Sequence, residues 1–263
     1  MKKTVILILV AAMLAMSLAG CGSSGKSESK LEAVKSAGKL TIATSPDFPP
    51  FEELKSDGSV QGIEIDLLSM ICEQLGVELD IQQMDFDSVL PGVQAGKYDV
   101  GVSGISVTEE RQKNVLFTEP YCLAAQAIVV TSDSAIKGKA DLEGKTISVQ
   151  TGTTAESFCM GEGYAVSSYS ANSDAESALV TGKVDAWVID DLTAAEMVAA
   201  YNAENPEALV ILGEAMTTEP YAFAFAFGGE DLVAEINGIL EKLVADGTVA
   251  SIFEKYAAPY TAP

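Results

Sequence analysis

The sequence predicts an α/β protein of two similar lobes, each a mostly parallel sheet flanked by helices, with two extended strands joining the lobes. Three observations carry this reading. A strand-helix rhythm runs from Lys39 to Ser103, the same rhythm returns from Thr146 to Ile189, and each half is followed by an apolar stretch, Ala125 to Val130 and Tyr221 to Phe227.

The first half can be read element by element. Lys39 to Thr44 alternates, with Leu40 and Ile42 on one side, and runs into the Pro-rich loop Ser45 to Phe51. After the turn Asp57-Gly58, the residues Ile65, Leu68, Ile71, Cys72 and Leu75 recur at helical spacing. Asp66 lies near the positive end of that helix, and Gly76 stands where a left-handed cap belongs. Val77, Leu79 and Ile81 make a second strand, Ser88 to Ala95 a short helix closed by Gly96, and Asp99 to Ser103 a third strand.

In the second half the order is strand Thr146 to Gln150, helix from about Thr154, weak strand Val166 to Tyr169, helix Ser173 to Thr181 and strand Val184 to Ile189. The run Ala125 to Val130, apolar apart from Gln126, and the run Tyr221 to Phe227 read as the two crossings. Helices at roughly Asp231 to Ala245 and Val249 to Tyr256 then return to the first lobe. Lobe 1 is expected over 37–127 and 222–263, and lobe 2 over 128–221.

The N-terminus reads as an export signal over residues 1–20: Lys2 and Lys3, an apolar run from Val5 to Leu14, then Ala19 and Gly20 before Cys21. Leu18-Ala19-Gly20-Cys21 resembles a bacterial lipobox, which would make Cys21 a lipidated mature N-terminus. From Gly22 to Lys30 there is no large apolar side chain, so residues 21–36 are taken as the lipidated cysteine and a flexible linker. The chain is expected outside the cytoplasm, anchored to the cell membrane.

Composition removes several functions. The formal charge is −22, from 38 acidic and 16 basic residues, and no basic cluster lies beyond the linker to meet a row of phosphates. Nucleic acid is a poor partner. The histidine count is 0, which removes the serine-histidine triad and the commonest zinc ligand together. Cys72, Cys122 and Cys159 suit neither a disulfide framework nor a metal knuckle. They read as buried thiols, with one bridge between two of them left open. No cofactor and no metal are expected.

Arg111 is the one arginine among 16 basic residues. A guanidinium grips a carboxylate through two parallel hydrogen bonds, a geometry lysine lacks. Composition leaves that role even with a surface arginine beside Glu109 and Glu110. Position decides, because Arg111 follows the strand and loop Gly101-Val102-Ser103-Gly104-Ile105-Ser106, at the sheet edge where ligands lie. Gln150-Thr151-Gly152-Thr153-Thr154 joins a strand to a helix, and its amides suit a carboxylate better than a nucleotide, since it lacks both the Gly-Lys pair and the three-glycine pattern. Asp190 and Asp191 end a strand; one is expected to cap the next helix while the other meets an ammonium in the cleft. Phe48, Phe51 and Phe86 stand in or beside loops, as a lid over the core or as a stacking wall.

Gly62-Ile63-Glu64-Ile65-Asp66-Leu67 resembles the signature of polar amino-acid-binding proteins of ABC importers, the extracellular solute-binding proteins of family 3. Thr44 through Phe51, Met84-Asp85-Phe86, Gly101 through Arg111, Asp141-Leu142-Glu143-Gly144-Lys145, Gly152-Thr153-Thr154 and Asp185 through Asp190 look like family segments in family order, and the likeness spans Lys39 to Tyr256.

The resemblance implies a two-lobe type II periplasmic-binding fold that acts as a monomer, is not an enzyme, closes around an amino acid and delivers it to a membrane permease. It implies that Arg111 clamps the α-carboxylate with Thr154 and Ser106, and that Asp190 pairs with the α-ammonium alongside the Gly104 carbonyl. Phe48 and Phe86 would sandwich the side chain, with Ser103, Gln150 and Thr151 also in the site. Ser45 replaces an aspartate of several relatives and Gln150 a lysine of the glutamine binders, which favours a neutral or polar guest. The rivals are a dehydratase of prephenate-like acids on the same scaffold and a solute-sensing receptor module.

Overall fold

The computed structural model describes residues 29–213 and 215–263. The export signal, Cys21 and the linker up to residue 28 lie outside the described residues. Inside the span read as linker, Lys30–Ala37 is a helix, α1. Its start is capped by the Ser29 hydroxyl, which accepts the Glu32 N–H at 3.2 Å, and it ends on Gly38 at φ 70°. Only Val34 is fully buried along it. Residues 30–36 of the span expected to be linker are therefore helical.

In chain order the following elements are β1 (Lys39–Thr44), β2 (Asp47–Phe48), β3 (Glu52–Leu54), β4 (Val60–Gln61), α2 (Ile63–Leu75), β5 (Glu78–Gln83), α3 (Phe86–Gln94) and β6 (Val100–Gly101). Next come α4 (Glu109–Gln112), β7 (Leu116–Phe117), β8 (Cys122–Ala124) and β9 (Gln126–Thr131). The second half continues with β10 (Thr146–Gln150), α5 (Thr154–Gly161), β11 (Ala165–Tyr169), α6 (Asn172–Val180), β12 (Ala186–Asp190), α7 (Asp191–Glu204) and β13 (Leu209–Ile211). The chain closes with β14 (Glu219–Tyr221), β15 (Ala224–Phe225), α8 (Glu230–Ala245) and α9 (Thr248–Lys255).

Two five-stranded sheets result, ordered β5-β1-β6-β15-β7 and β11-β10-β12-β9-β13. In the first, β1 runs parallel to β5 and β6, while β15 is antiparallel to both neighbours. In the second, β10 runs parallel to β11 and β12, while β9 is antiparallel to both neighbours. Each sheet thus has one reversed strand, and in each it is the strand that enters from the other body. A chain arriving at the carboxyl edge of parallel strands has to run back along them.

That entry point moves the expected crossings. Ala125 to Val130 is not a crossing but mostly β9, inside the second sheet; the passage is β8, just before it. On the return, β14 makes the passage and β15 is already an inner strand of the first sheet. The two passages pair with each other, Cys122 opposite Tyr221 and Ala124 opposite Glu219. Periodicity cannot separate a buried strand from a buried crossing, because both are extended and apolar.

Under the first sheet Leu40, Ile42, Leu68, Ile71, Phe223 and Phe253 are buried to 0 % exposure, and α8 and α9 close over this core. A smaller cluster of Ile128, Ile147, Val149 and Val188 fills the second body. Cys72, Cys122 and Cys159 are buried free thiols, so no bridge forms. Burial pushes the Cys72 thiol up to about 11 and the Cys159 thiol up to about 12. Among the described residues, no helix is long and apolar enough to cross a membrane.

Candidate functional site

The carboxyl ends of the two sheets face each other, and residues of both line one small cavity. Phe48 comes from β2, Ser103, Gly104 and Ser106 from the segment after β6, Arg111 from α4 and Phe86 from the start of α3. The end of β10 supplies Gln150, the start of α5 Thr153 and Thr154, and the end of β12 Asp190. The cavity leaves about 10 Å3 for a water-sized sphere, room for about one water. It opens toward a cleft of about 470 Å3 that shares Phe86, Arg111 and Thr154.

Arg111 stands in α4, a single turn started by Thr108, whose hydroxyl accepts the Arg111 N–H at 3.1 Å. Its guanidinium donates to the Ser106 carbonyl at 2.9 Å and, across the cleft, to the Gly152 carbonyl at 3.1 Å. It lies 5.6 Å from the Phe86 ring centre. Among the described residues it makes no ion pair with Glu109 or Glu110. Burial lowers its pKa and the charges of Asp190 and Glu219 oppose that shift; the group stays a cation.

Asp190, at the end of β12, is 7 % exposed. Burial first, and the Glu219 charge second, push its carboxyl up to about 7, with the Tyr221 hydroxyl and Gln126 amide beside it pulling the other way. Gln126 donates to Asp190 Oδ1 at 3.0 Å and to Thr154 Oγ1 at 3.3 Å. Asp191 turns away: its Oδ1 accepts the Leu192 and Ala125 N–H groups at 2.9 and 3.1 Å.

The turn between β10 and α5 is built as a helix start. Thr153 caps α5 by accepting the Glu156 N–H at 3.2 Å and donates to the Gln150 carbonyl at 2.7 Å. Thr154 follows, its hydroxyl 3.5 Å from that of Ser106. On the opposite face Gly104 sits at φ 51°, where a Cβ would meet the Phe48 ring at 2.4 Å. Only glycine lets the turn lie against that ring.

Two of the expected residues stand outside the cavity wall. Thr151 turns its hydroxyl to the Tyr169 carbonyl at 3.1 Å. Ser45 donates to Asp47 Oδ1 at 2.9 Å and borders a neighbouring groove. Phe51 is 0 % exposed and belongs to the core, stacked 5.7 Å from Phe48.

Four polar residues at the site were not read from the sequence. Asp47 accepts from Gln150 Nε2 at 3.1 Å and from the Asn172 N–H at 2.8 Å, so one carboxylate on β2 holds the end of β10 and the start of α6. Glu219, on β14, is 6 % exposed and acts by its charge on Arg111 and Asp190. Gln126 carried a signal, as the lone polar residue of its apolar run; Asp47, Asn172 and Glu219 look like ordinary loop and strand-end residues.

Residues 40–259 match the model of the bacterial extracellular solute-binding proteins, family 3. The chain belongs to that family. This family 3 protein is 30 % identical over 261 residues to the arginine-binding extracellular protein ArtP of Bacillus subtilis, covering 97 % of this chain and 98 % of ArtP. A mutant of the arginine-binding protein ArgBP from T. maritima superimposes with a TM-score of 0.80 at 38 % identity, over 86 % of this chain and 98 % of that one. The ancestral amino-acid-binding protein AncCDT-1, a precursor of cyclohexadienyl dehydratase, follows at 0.78 and 32 %, over 87 % and 99 %. The fold is the two-lobe type II periplasmic-binding fold, with one five-stranded sheet in each lobe.

Proposed function

We propose that this protein captures an amino acid between its two lobes and hands it to the permease of an ABC importer. The observation that carries the reading is the placement of Arg111, from α4, and Asp190, from the end of β12, on the wall of one cavity. The guanidinium and the Thr154 end of α5 receive the α-carboxylate; Asp190 and the Gly104 carbonyl receive the α-ammonium; Phe48 and Phe86 flank the side chain. A guest gripped by both lobes stabilises their closed arrangement over the open one. A cavity with room for about one water also means that the lobes part to admit it.

Asp190, Glu219 and Asp47 against the single Arg111 leave an excess of negative charge, and the relatives named above include arginine binders. A cationic side chain is therefore favoured over the neutral one that Ser45 suggested. The export signal and a lipid on Cys21 would keep the protein outside the cytoplasm, anchored to the cell membrane and acting as a monomer. Thermal-shift screening of the standard L-amino acids followed by calorimetry tests the reading, with L-arginine expected among the ligands. A folded protein that none of them stabilises would overturn it. Loss of labelled palmitate incorporation in Cys21→Ser tests the anchor.

One observation favours an enzymatic reading: a buried carboxyl pushed up to about 7 is suited to donate a proton. Asp190 already has a role with the ammonium, however, and no second carboxyl lines the inner cavity. Incubation with arogenate or prephenate is expected to give no aromatic product.

A further inference from the structure

Two glutamates lie directly beneath the Ser103-Gly104 turn without reaching the cavity. Glu52, on β3, and Glu64, on α2, are each 0 % exposed. They hold consecutive residues of the turn: Glu52 Oε1 accepts the Ser103 hydroxyl at 2.8 Å, and Glu64 Oε2 accepts the Gly104 N–H at 2.9 Å. The other Glu64 oxygen accepts the Tyr121 hydroxyl at 2.5 Å. Ser103 Oγ in turn accepts the Ser45 N–H at 3.1 Å, which carries the arrangement to the loop after β1. Glu52 Oε2 is buried without a hydrogen-bond partner.

Two buried carboxylates side by side, with no cation to compensate them, are strongly disfavoured. The titratable groups that bear on this pair are Asp47 from β2, Tyr121, and Cys122 from β8, and none of them is a cation. Two deprotonated carboxylates offer each other no donor. A proton on one of them supplies it, and Glu52, whose Oε2 is without a partner and whose nearest charge is Glu64, is the one placed to carry it. Burial, followed by the Glu64 charge, accordingly raises Glu52 well above the usual carboxylate range.

We propose that Glu52, as the carboxylic acid, and Glu64, as the carboxylate, share one proton beneath the turn and together fix Ser103 and Gly104 in the orientation that receives the ligand. Both are positioning residues. Only the affinity measurement below rests on the amino-acid reading of the site.

The proposal fixes how two amide replacements behave. In E52Q the amide nitrogen faces Glu64 and the carbonyl faces Ser103, so the hydrogen bonds survive without the proton. In E64Q an amide donor has to face either the Gly104 N–H or the Tyr121 O–H. Because the folded state binds the Glu52 proton more tightly than the unfolded chain does, the stability from this group is complete below the ordinary glutamate pKa. It declines as pH rises toward the folded value.

The test compares wild type, E52Q, E52A and E64Q by melting temperature from about pH 5 to about pH 9. It adds exchange of the Gly104 amide proton by NMR and calorimetry with whichever standard L-amino acid stabilises the wild type most. E52Q is expected to melt above wild type at the alkaline end, with a flatter profile and affinity within about twofold. E64Q is expected to melt lower, to exchange the Gly104 amide faster and to bind about tenfold or more weakly. Asp190 is common to all four proteins and cancels in the differences. An E52Q that falls with E52A, or that keeps the wild-type pH slope, overturns the shared proton. Unchanged Gly104 exchange in E64Q overturns the positioning. If no amino acid binds the wild type, the ligand reading fails, while the melting and exchange data still decide the pair.

Discussion

The two faces of the cleft come from sheets of like layout, parallel strands with one reversed strand in each, yet they hold their cavity-facing groups by opposite means. On the first face the Ser103-Gly104 turn rests on two carboxyl groups sealed from water and is pressed against the Phe48 ring. On the second, the titratable Asp190 itself lines the cavity, and its hydrogen-bonded support from Gln126 is a neutral amide. Topology places a site, while the polar residues buried behind it set its character. One face keeps its carboxyl groups beneath the turn, and the other exposes to the cavity a carboxyl that burial pushes up to about 7.

Removing the link between the faces should cost the most. Arg111→Ala deletes charge-assisted hydrogen bonds of about 1.5 to 3 kcal/mol each, so affinity should fall about 100-fold or more by calorimetry. Lysine in its place should still cost about tenfold; affinity within twofold of wild type would refute the clamp.

Asp190→Asn should weaken binding about tenfold and sharpen the contrast between the faces through pH. The folded pKa is raised to about 7, so the group's stability is present below the ordinary aspartate value and lost as pH rises toward 7. The variant should therefore melt above wild type at about pH 8, whereas wild-type affinity should decline as acid protonates Asp190. Equal melting profiles would show that Asp190 is not held protonated by its surroundings.

Gly104→Ala attacks the platform, forcing a Cβ into the Phe48 ring at positive φ for about 1 to 3 kcal/mol of stability. A fall of roughly 2 to 10 °C in melting temperature is expected, and no fall would show that the turn is free to shift. The smallest effect belongs to Asp47→Ala, which unties Gln150 and Asn172. Affinity should drop by about threefold to tenfold, and small-angle scattering should show a wider ligand-free protein; an unchanged radius would count against the tie.

Much of this was legible in the sequence. The helix Ile63–Leu75 followed from its apolar spacing and from Gly76, which adopts φ 72° as a left-handed cap. Arg111 was legible through its rarity, and the Thr153-Thr154 helix start through its hydroxyls. What sequence could not supply were partners far apart in the chain. Asp47 meets Asn172 only because two lobes close, and Glu52 meets Glu64 only because β3 packs on α2. A glutamate between Ile63 and Ile65 looks like an ordinary helix residue until the fold buries it. The crossings were displaced by a few residues because burial makes a passage and an inner strand equally apolar.

The order of strands in the first sheet has a consequence for how the chain acquires its shape. Ala224–Phe225 lies between β6 and β7, so that sheet remains interrupted until nearly the whole polypeptide is present. The second sheet uses only strands between Gln126 and Ile211 and can be completed without waiting. The later stretch of chain is thus able to fold first, and the earlier stretch keeps an unsatisfied edge until its last strand arrives.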